Sequence, residues 1–340
     1  MLIHTTVPIA DLGAAGDLFA ELEAAGYDGA NSYETKHDPF LPLALAARST
    51  TELQLGTAIA IAFARTPMLL ATTARDLQDL SRGRFTLGLG SQIRPHITRR
   101  YSMPWSRPAA RMRELVLAIR AIWDAWDGVA PLDFRGEFYT HTLLPPAFDP
   151  GPHRHGRARI HVAGVGPRMV AVAGEVGDGL ITHPFASRRS LEELVLPALG
   201  AARRRPGFEV VAVVMLATGT AGADLDAAVA TVRGQLAFYG STPAYAPVLD
   251  LHGWGDLHPR LNALSKQGRW ADMAALVPDE VVETIAVVGR RDEVAPLVAE
   301  RVGGLADAVS LECTRRPDPG HFADIARELR LLVPGGPSAG

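Results

Sequence analysis

Glu34 and His37 stand close together directly after the short strand-like stretch Gly29 to Tyr33. A carboxylate and an imidazole brought to one pocket mouth titrate near neutral pH and can pass a proton, so the pair reads as an acid/base couple. The bland alternative pairs Glu34 with a neighbouring base and leaves His37 to cap the next helix. His96, in SQIRPHITRR, is a third candidate for proton handling, and His183, in GLITHPF, a candidate ligand contact, because each also follows an apolar run. The turn AGVGPRM offers a different chemistry. Gly164 and Gly166, with Val165 between them, let backbone approach a ligand; Pro167 opens a helix whose first N–H groups carry partial positive charge, and Arg168 adds a full one. That is the make-up of a phosphate cradle.

Between Phe85 and Glu114 the chain places six arginines, Arg94, Arg99, Arg100, Arg107, Arg111 and Arg113, before its first acid. Arg111 and Arg113 fall inside a helical pattern and read as structural; Arg94, Arg99 and Arg100 are the better candidates to meet an anion. Nucleic acid is not the expected partner: the whole chain has net charge -3, and the basic loop carries only Tyr101 and Trp105 as stacking platforms.

Other chemistries lack their residues. Neither AGVGPRM nor GLGSQI has the third glycine of the dinucleotide fingerprint, and no Walker or GxSxG pattern occurs. His153 and His155 in GPHRHGR have no thiolate or acid at ligand spacing, so they read as a solvated loop and no metal is assigned. The single cysteine, Cys313, excludes a disulfide framework and reads as a small buried hydrophobe in the last strand.

The elements that must position these groups alternate strictly. Short apolar runs, the pattern of strands buried on both faces, are each followed by a segment with helical periodicity. The strands are expected at Leu2 to Pro8, Gly29 to Tyr33, Leu53 to Ala62, Arg84 to Gly90, Ile160 to Ala163, Gly179 to His183, Phe208 to Ala217 and Ala308 to Glu312. Pro67, Pro108 and Pro167 suit the first turn of a helix. After Pro108, Met112, Leu115, Val116, Ile119, Ile122, Trp123 and Trp126 share one face and are expected in the core. Eight such units favour a closed α/β (β/α)8 TIM barrel, whose site lies at the carboxyl ends of the strands. The expected domain is 1–333, with insertions at 128–159 and at 242–291, the second reading as two or three short helices, and a disordered tail at 334–340. Length of 340 residues, 47% hydrophobic and 21% charged content suit a large globular core. With no basic leader and no apolar run long enough to span a bilayer, a cytoplasmic location and no membrane partner are expected.

The succession LGTAIAIAFARTPMLLATTARDLQDLSRGRFTLGLGSQ, with HDPFLPLALAA, GVGPRMVAVAGEVGDGLITHPF and VVGRRDEVAPLVAERVGGLADAVSLE, resembles the luciferase-like flavin and deazaflavin oxidoreductases over nearly the whole chain. The segments around IRPHITRRYSMPWSRPAARM and LHGWGDLHPRLNALSKQGRW are most similar to an actinobacterial branch assigned to coenzyme F420, an 8-hydroxy-5-deazaflavin. The resemblance implies a ring site at the carboxyl end of the barrel near Gly90, Ser91 and Gln92, a phosphate near the fifth and sixth units, and a non-proline cis peptide at Ala58–Ile59 behind the ring. It also implies a homodimer and an anionic glutamate tail on the coenzyme for Arg94, Arg99 and Arg100 to meet. Many relatives carry an acid after LGLG where this chain has Gln92 and His96. The implied reaction is hydride transfer between F420 and a small organic substrate. The alternatives are an FMN-dependent monooxygenase and a coenzyme-binding protein without turnover.

Overall fold

A computed structural model describes residues 1–220, 222–313 and 319–333. Its strands are β1 (Leu2–Val7), β2 (Gly29–Ser32), β3 (Gln54–Thr57), β4 (Ala60–Ile61), β5 (Phe85–Gly90), β6 (Phe134–Arg135), β7 (Thr140–His141), β8 (Arg159–Ala163), β9 (Gly179–Ile181), β10 (Glu209–Gly219), β11 (Val287–Arg290) and β12 (Ala308–Cys313). Parallel pairing runs from β1 through β2, β3 with β4, β5, β8, β9 and β10 to β12, which pairs back on β1. The ring is closed: a (β/α)8 barrel, as the alternation of apolar runs and helices requires.

Alternation sorts the side chains. His4, Asn31, Thr57, Thr86, His161, Glu209, Val211, Val213 and Ser310 line the lumen, while Ile3, Leu87, Ile160, Val210 and Leu311 face the helices. Pro67, Pro108 and Pro167 each occupy the first turn of their helix. All seven apolar residues expected on the Pro108–Trp126 helix are buried.

Four local readings are corrected. The third strand is not continuous from Leu53 to Ala62; it breaks into β3 and β4 around a cis Ala58–Ile59 bond. There Thr57 Oγ1 replaces the missing ladder, donating to the Gly88 carbonyl at 2.7 Å and accepting the Gly88 N–H at 2.9 Å. Only glycine fits at 88, since a Cβ would lie 1.8 Å from the Thr57 carbonyl oxygen. The seventh strand, β10, runs on to Gly219, where β11 pairs with it outside the ring. The second insertion holds four short helices, Ala246–Leu251, Leu257–Lys266, Trp270–Ala275 and Asp279–Ile285, and ends in β11, on which a further helix beyond the insertion, Val294–Val302, packs. These helices form a second apolar cluster with Phe185, Met215 and Ala217.

Finally, His153 is no solvated loop residue. Its side chain is 3% exposed, its Nδ1 lies 2.8 Å from Asp127 Oδ1, and its ring meets Trp123 edge-on. It pins the first insertion to the barrel, and Glu114 helps by accepting the N–H groups of Glu137, Phe138 and Tyr139. His155 is exposed. The tail at 334–340 lies outside the described residues. Among the described residues no helix is long and apolar enough to cross a membrane.

Candidate functional site

The carboxyl ends of the strands carry the expected groups to one opening. Ala58 packs with Ile59, Ala163, Ile181 and Val213 around the lumen; Ile61 pairs with Gly90; Gly164 donates its N–H to the Ile181 carbonyl at 3.2 Å. A Cβ at Gly90 would lie 2.7 Å from the Ile59 side chain, so the two elements touch through that glycine.

Glu34 is at this mouth, and its carboxylate is fully engaged. Oε2 accepts from the Ile61 N–H at 2.8 Å and from Arg65 Nη1 at 2.6 Å, while Oε1 accepts from Tyr101 Oη at 2.7 Å. Its own N–H donates to the Ile59 carbonyl at 3.2 Å. The side chain is 6% exposed beside the Arg65 guanidinium, and these charge-assisted bonds make Glu34 the clamp of the β3–β4 break. Burial, then the Glu34 carboxylate, pushes the Tyr101 phenol up to about 12. His37 is half-buried in the same loop, but it does not cap the following helix: Asp38 Oδ1 accepts the N–H groups of Phe40 and Leu41, as expected of a short acid at that place.

The basic loop folds as a turn of π-helix, His96–Arg100. Arg100 Nη2 donates to the Thr35 carbonyl at 2.7 Å and its guanidinium lies over the Tyr101 ring, so the loop is laced to the one after β2. Arg94 and Arg99 are exposed and have no acid partner among the described residues. Arg107 pairs with Glu137 and Arg113 with Glu175; Arg111 is buried, its Nε donating to Tyr139 Oη at 2.9 Å. His96 is half-buried, with Nδ1 buried and unpartnered. Ser91 Oγ donates to the Gln92 carbonyl, and Gln92 adopts a left-handed φ of 57°.

His183 faces a cleft of about 480 Å³ bounded by Gly164, Val165, Gly166, Pro167, Thr182, Phe185 and Val248. Its Nδ1 accepts the Phe185 N–H at 3.0 Å, so the neutral ring carries its proton on Nε2, 2.9 Å from Tyr245 Oη. Burial lowers its pKa to about 3. Tyr245 accepts from the imidazole and keeps its own proton to donate. Gly166 and Pro167 also border a second cleft, about 570 Å³, beside Arg168. A Cβ at Gly166 would meet nothing within 4 Å, which leaves an open backbone cradle between the clefts. The AGVGPRM turn and His183 therefore come together, while His37 and His96 lie on other loops of the rim.

Sequence reasoning misses Arg65, Tyr239, Tyr245 and Glu312. Arg65 shares the ARTP stretch with a helix start and Tyr245 belongs to the second insertion; neither spacing announces a partner. No group of three His, Cys, Asp or Glu among the described residues is placed to hold a metal ion.

Residues 2–308 match the family model described as luciferase-like monooxygenase. An uncharacterized protein of Mycobacterium tuberculosis strain H37Rv is 52% identical over 303 residues, covering 88% of this chain and 89% of that one. A phthiodiolone/phenolphthiodiolone dimycocerosates ketoreductase of the same organism is 30% identical over 281 residues, 78% of this chain and 71% of its own. Among solved structures, the coenzyme F420 dependent tetrahydromethanopterin reductase of Methanopyrus kandleri superposes with a TM-score of 0.80 at 18% identity, covering 98% and 99% of the two chains. The oxygenating constituent of 3,6-diketocamphane monooxygenase of Pseudomonas putida, in complex with FMN, gives 0.65 at 15%, covering 98% of each. With its closed barrel and a family match over most of its length, the chain belongs to the luciferase-like monooxygenase family of enzymes.

Proposed function

We propose that the protein is an oxidoreductase that moves a hydride between bound coenzyme F420 and a small organic substrate carrying a carbonyl or alcohol. When bound, the deazaflavin supplies or accepts the hydride; the protein contributes orientation, electrostatics and the proton. The observation that carries the reading is the open cradle at Gly164, Val165, Gly166, Pro167 and Arg168, which borders two clefts and directly follows Ala163, a residue packed with Ala58 and Ile59. A planar apolar ring suits the mouth between Ala58, Ile59 and Gly90. A phosphate suits the start of the Pro167–Val176 helix, and the unpaired Arg94, Arg99 and Arg168 suit an anionic tail. Glu34, through Arg65 and Tyr101, holds the wall behind the ring. The neutral His183 orients Tyr245 as a donor, while Gln92, Ser91, His37 and His96 complete the rim.

The FMN reading keeps one supporting observation, the fold likeness to a monooxygenase solved with FMN. Fluorescence titration separates the two. The deazaflavin is expected to bind saturably and to be bleached or regenerated only when a carbonyl or alcohol substrate is added; saturation by FMN together with oxygen-dependent turnover, and no response to the deazaflavin, overturns the proposal.

A further inference from the structure

Glu312 is the penultimate residue of β12, in register with Thr6 of β1 and Met215 of β10. Two and four residues below it, Ser310 lines the lumen and Ala308 packs inside it against Ile181 and Val211. The strand alternation therefore puts Glu312 on the inner face at the mouth. Its surroundings differ from those of Glu34. Among the described residues its one hydrogen-bond partner is Gln235, whose Nε2 lies 3.5 Å from Oε1, and no arginine, lysine or histidine pairs with it. The remaining titratable neighbours are phenols: Tyr33 after β2 and Tyr239 on the Ala223–Gly240 helix both feel its charge, and Tyr239 packs on the His183 ring at 4.6 Å. A carboxyl drawn back from water by burial, with one weak donor and no cation beside it, favours its protonated form more than an ordinary glutamate does.

We propose that Glu312 is the residue that exchanges the proton with the substrate oxygen at this mouth, an inference that rests on the hydride-transfer reading above. In the reducing direction the substrate carbonyl carbon gains the hydride and the C=O π pair moves to oxygen. That oxygen takes the proton as the Glu312 O–H bond breaks. The carboxylate regains a proton from water at the opening, and the electron pair has come from the reduced coenzyme, which ends oxidised. Oxidation of an alcohol runs the same steps backward, with Glu312 as base. The physical setting fits both directions, since burial pushes this carboxyl up to about 7, where acid and base forms are both at hand.

The test uses the full chain as wild type, Glu312→Gln and Gln235→Ala. In the coenzyme-free protein carrying 13C-carboxyl glutamate, NMR is expected to show one carboxyl titrating near 7, absent from Glu312→Gln. In Gln235→Ala the same signal is expected to titrate higher, because the lost hydrogen bond favours the carboxylate. With coenzyme, Glu312→Gln is expected to keep deazaflavin affinity while single-turnover reduction slows by about 10²- to 10⁴-fold. The wild-type reduction rate should fall as pH rises through 7, and the variant should lose that limb. A Glu312 signal in the ordinary carboxylate range, or a Glu312→Gln enzyme with unchanged rate and pH profile, overturns the proposal. If Glu312→Gln does not fold, Gln235→Ala decides by the direction in which the signal and the pH limb move. A wild type that binds no deazaflavin overturns the coenzyme assignment instead, and the carboxyl titration still decides separately whether Glu312 holds the proton.

Discussion

At the lower end of the lumen His4, His161 and Glu209 surround a cavity of about 20 Å³, and Arg159 Nη1 donates to Glu209 Oε2 at 2.8 Å. At the upper end His183 faces a cleft of about 480 Å³, while Glu312 stands at the mouth without a cation. Residue types are the same at the two ends; access and charge are not. Below, the carboxylate is neutralised by an arginine, and the imidazoles lean over Gly29 and Gly179, where a Cβ would lie 2.8 and 2.7 Å from their rings. Above, His183 is tied to Tyr245, and Glu312 is bordered by phenols that cannot neutralise it. The lesson is that a buried polar group at the closed end of a barrel is scaffold when its charge is matched. The same group at the open end is available for chemistry when its charge is unmatched.

The largest expected effect sharpens this contrast within the mouth itself. Glu34→Ala takes the acceptor from the Ile61 N–H, the Tyr101 hydroxyl and Arg65 Nη1, leaving Arg65 its Nη2 bond to Asp38 at 2.8 Å, and is expected to destabilise the protein by about 3 kcal/mol, read as a shift in the urea midpoint; unchanged stability would mean that Glu34 is no clamp. Next, Gly179→Ala forces a Cβ 2.6 Å from the Glu209 carbonyl oxygen. It should remove about 1–3 kcal/mol and leave coenzyme affinity intact. Lost affinity in a folded Gly179→Ala protein would break the division between the two ends.

The pH dependence of stability comes next. Burial lowers the pKa of His161 and His183 to about 3, and burial shifts His4 in the same direction. The unfolded chain therefore binds protons that the native state refuses. Stability is full above 6.5 and is lost as pH falls toward 3, by about 1 kcal/mol per pH unit for each histidine. Glu312 acts oppositely, since its raised pKa contributes stability below 4.5 that is lost as pH rises through 7. Denaturation series should show His4→Gln with His161→Gln flattening the acid limb only, and Glu312→Gln the neutral limb only. The smallest effect is on the rim: Arg94→Ala and Arg99→Ala should each weaken coenzyme binding by about 1 kcal/mol or less, and less again at high salt. No change at low salt would remove these arginines from the tail site.

The eight barrel strands are legible from their spacing and from the helical segment that follows each, although lumen positions such as His4, Asn31 and His161 interrupt the apolar runs of β1, β2 and β8, and Pro67, Pro108 and Pro167 mark their helices without ambiguity. β11 is not, since VVGR offers two apolar residues before glycine and owes its pairing to the overlong β10. The Val294–Val302 helix has a readable apolar stripe, hidden by its place beside an insertion. His153 is opaque for another reason: its burial depends on Asp127, distant in the chain, and on two tryptophan rings. Asp38 was readable as a cap on side-chain chemistry alone. At the site, Gly164 to Arg168 and His183 announce themselves by position after strands. Glu312 does not, because what distinguishes it is the lack of a nearby cation, a property that exists only once β1, β2, β10 and the Ala223–Gly240 helix surround it.

The most direct test is a crystal structure of the protein soaked with the deazaflavin. The ring is expected against Ala58, Ile59 and Gly90, its phosphate at Gly164 to Arg168, and the Glu312 carboxyl on the substrate side of the mouth. A coenzyme bound away from that opening, or a mouth that accepts FMN and refuses the deazaflavin, would contradict the account.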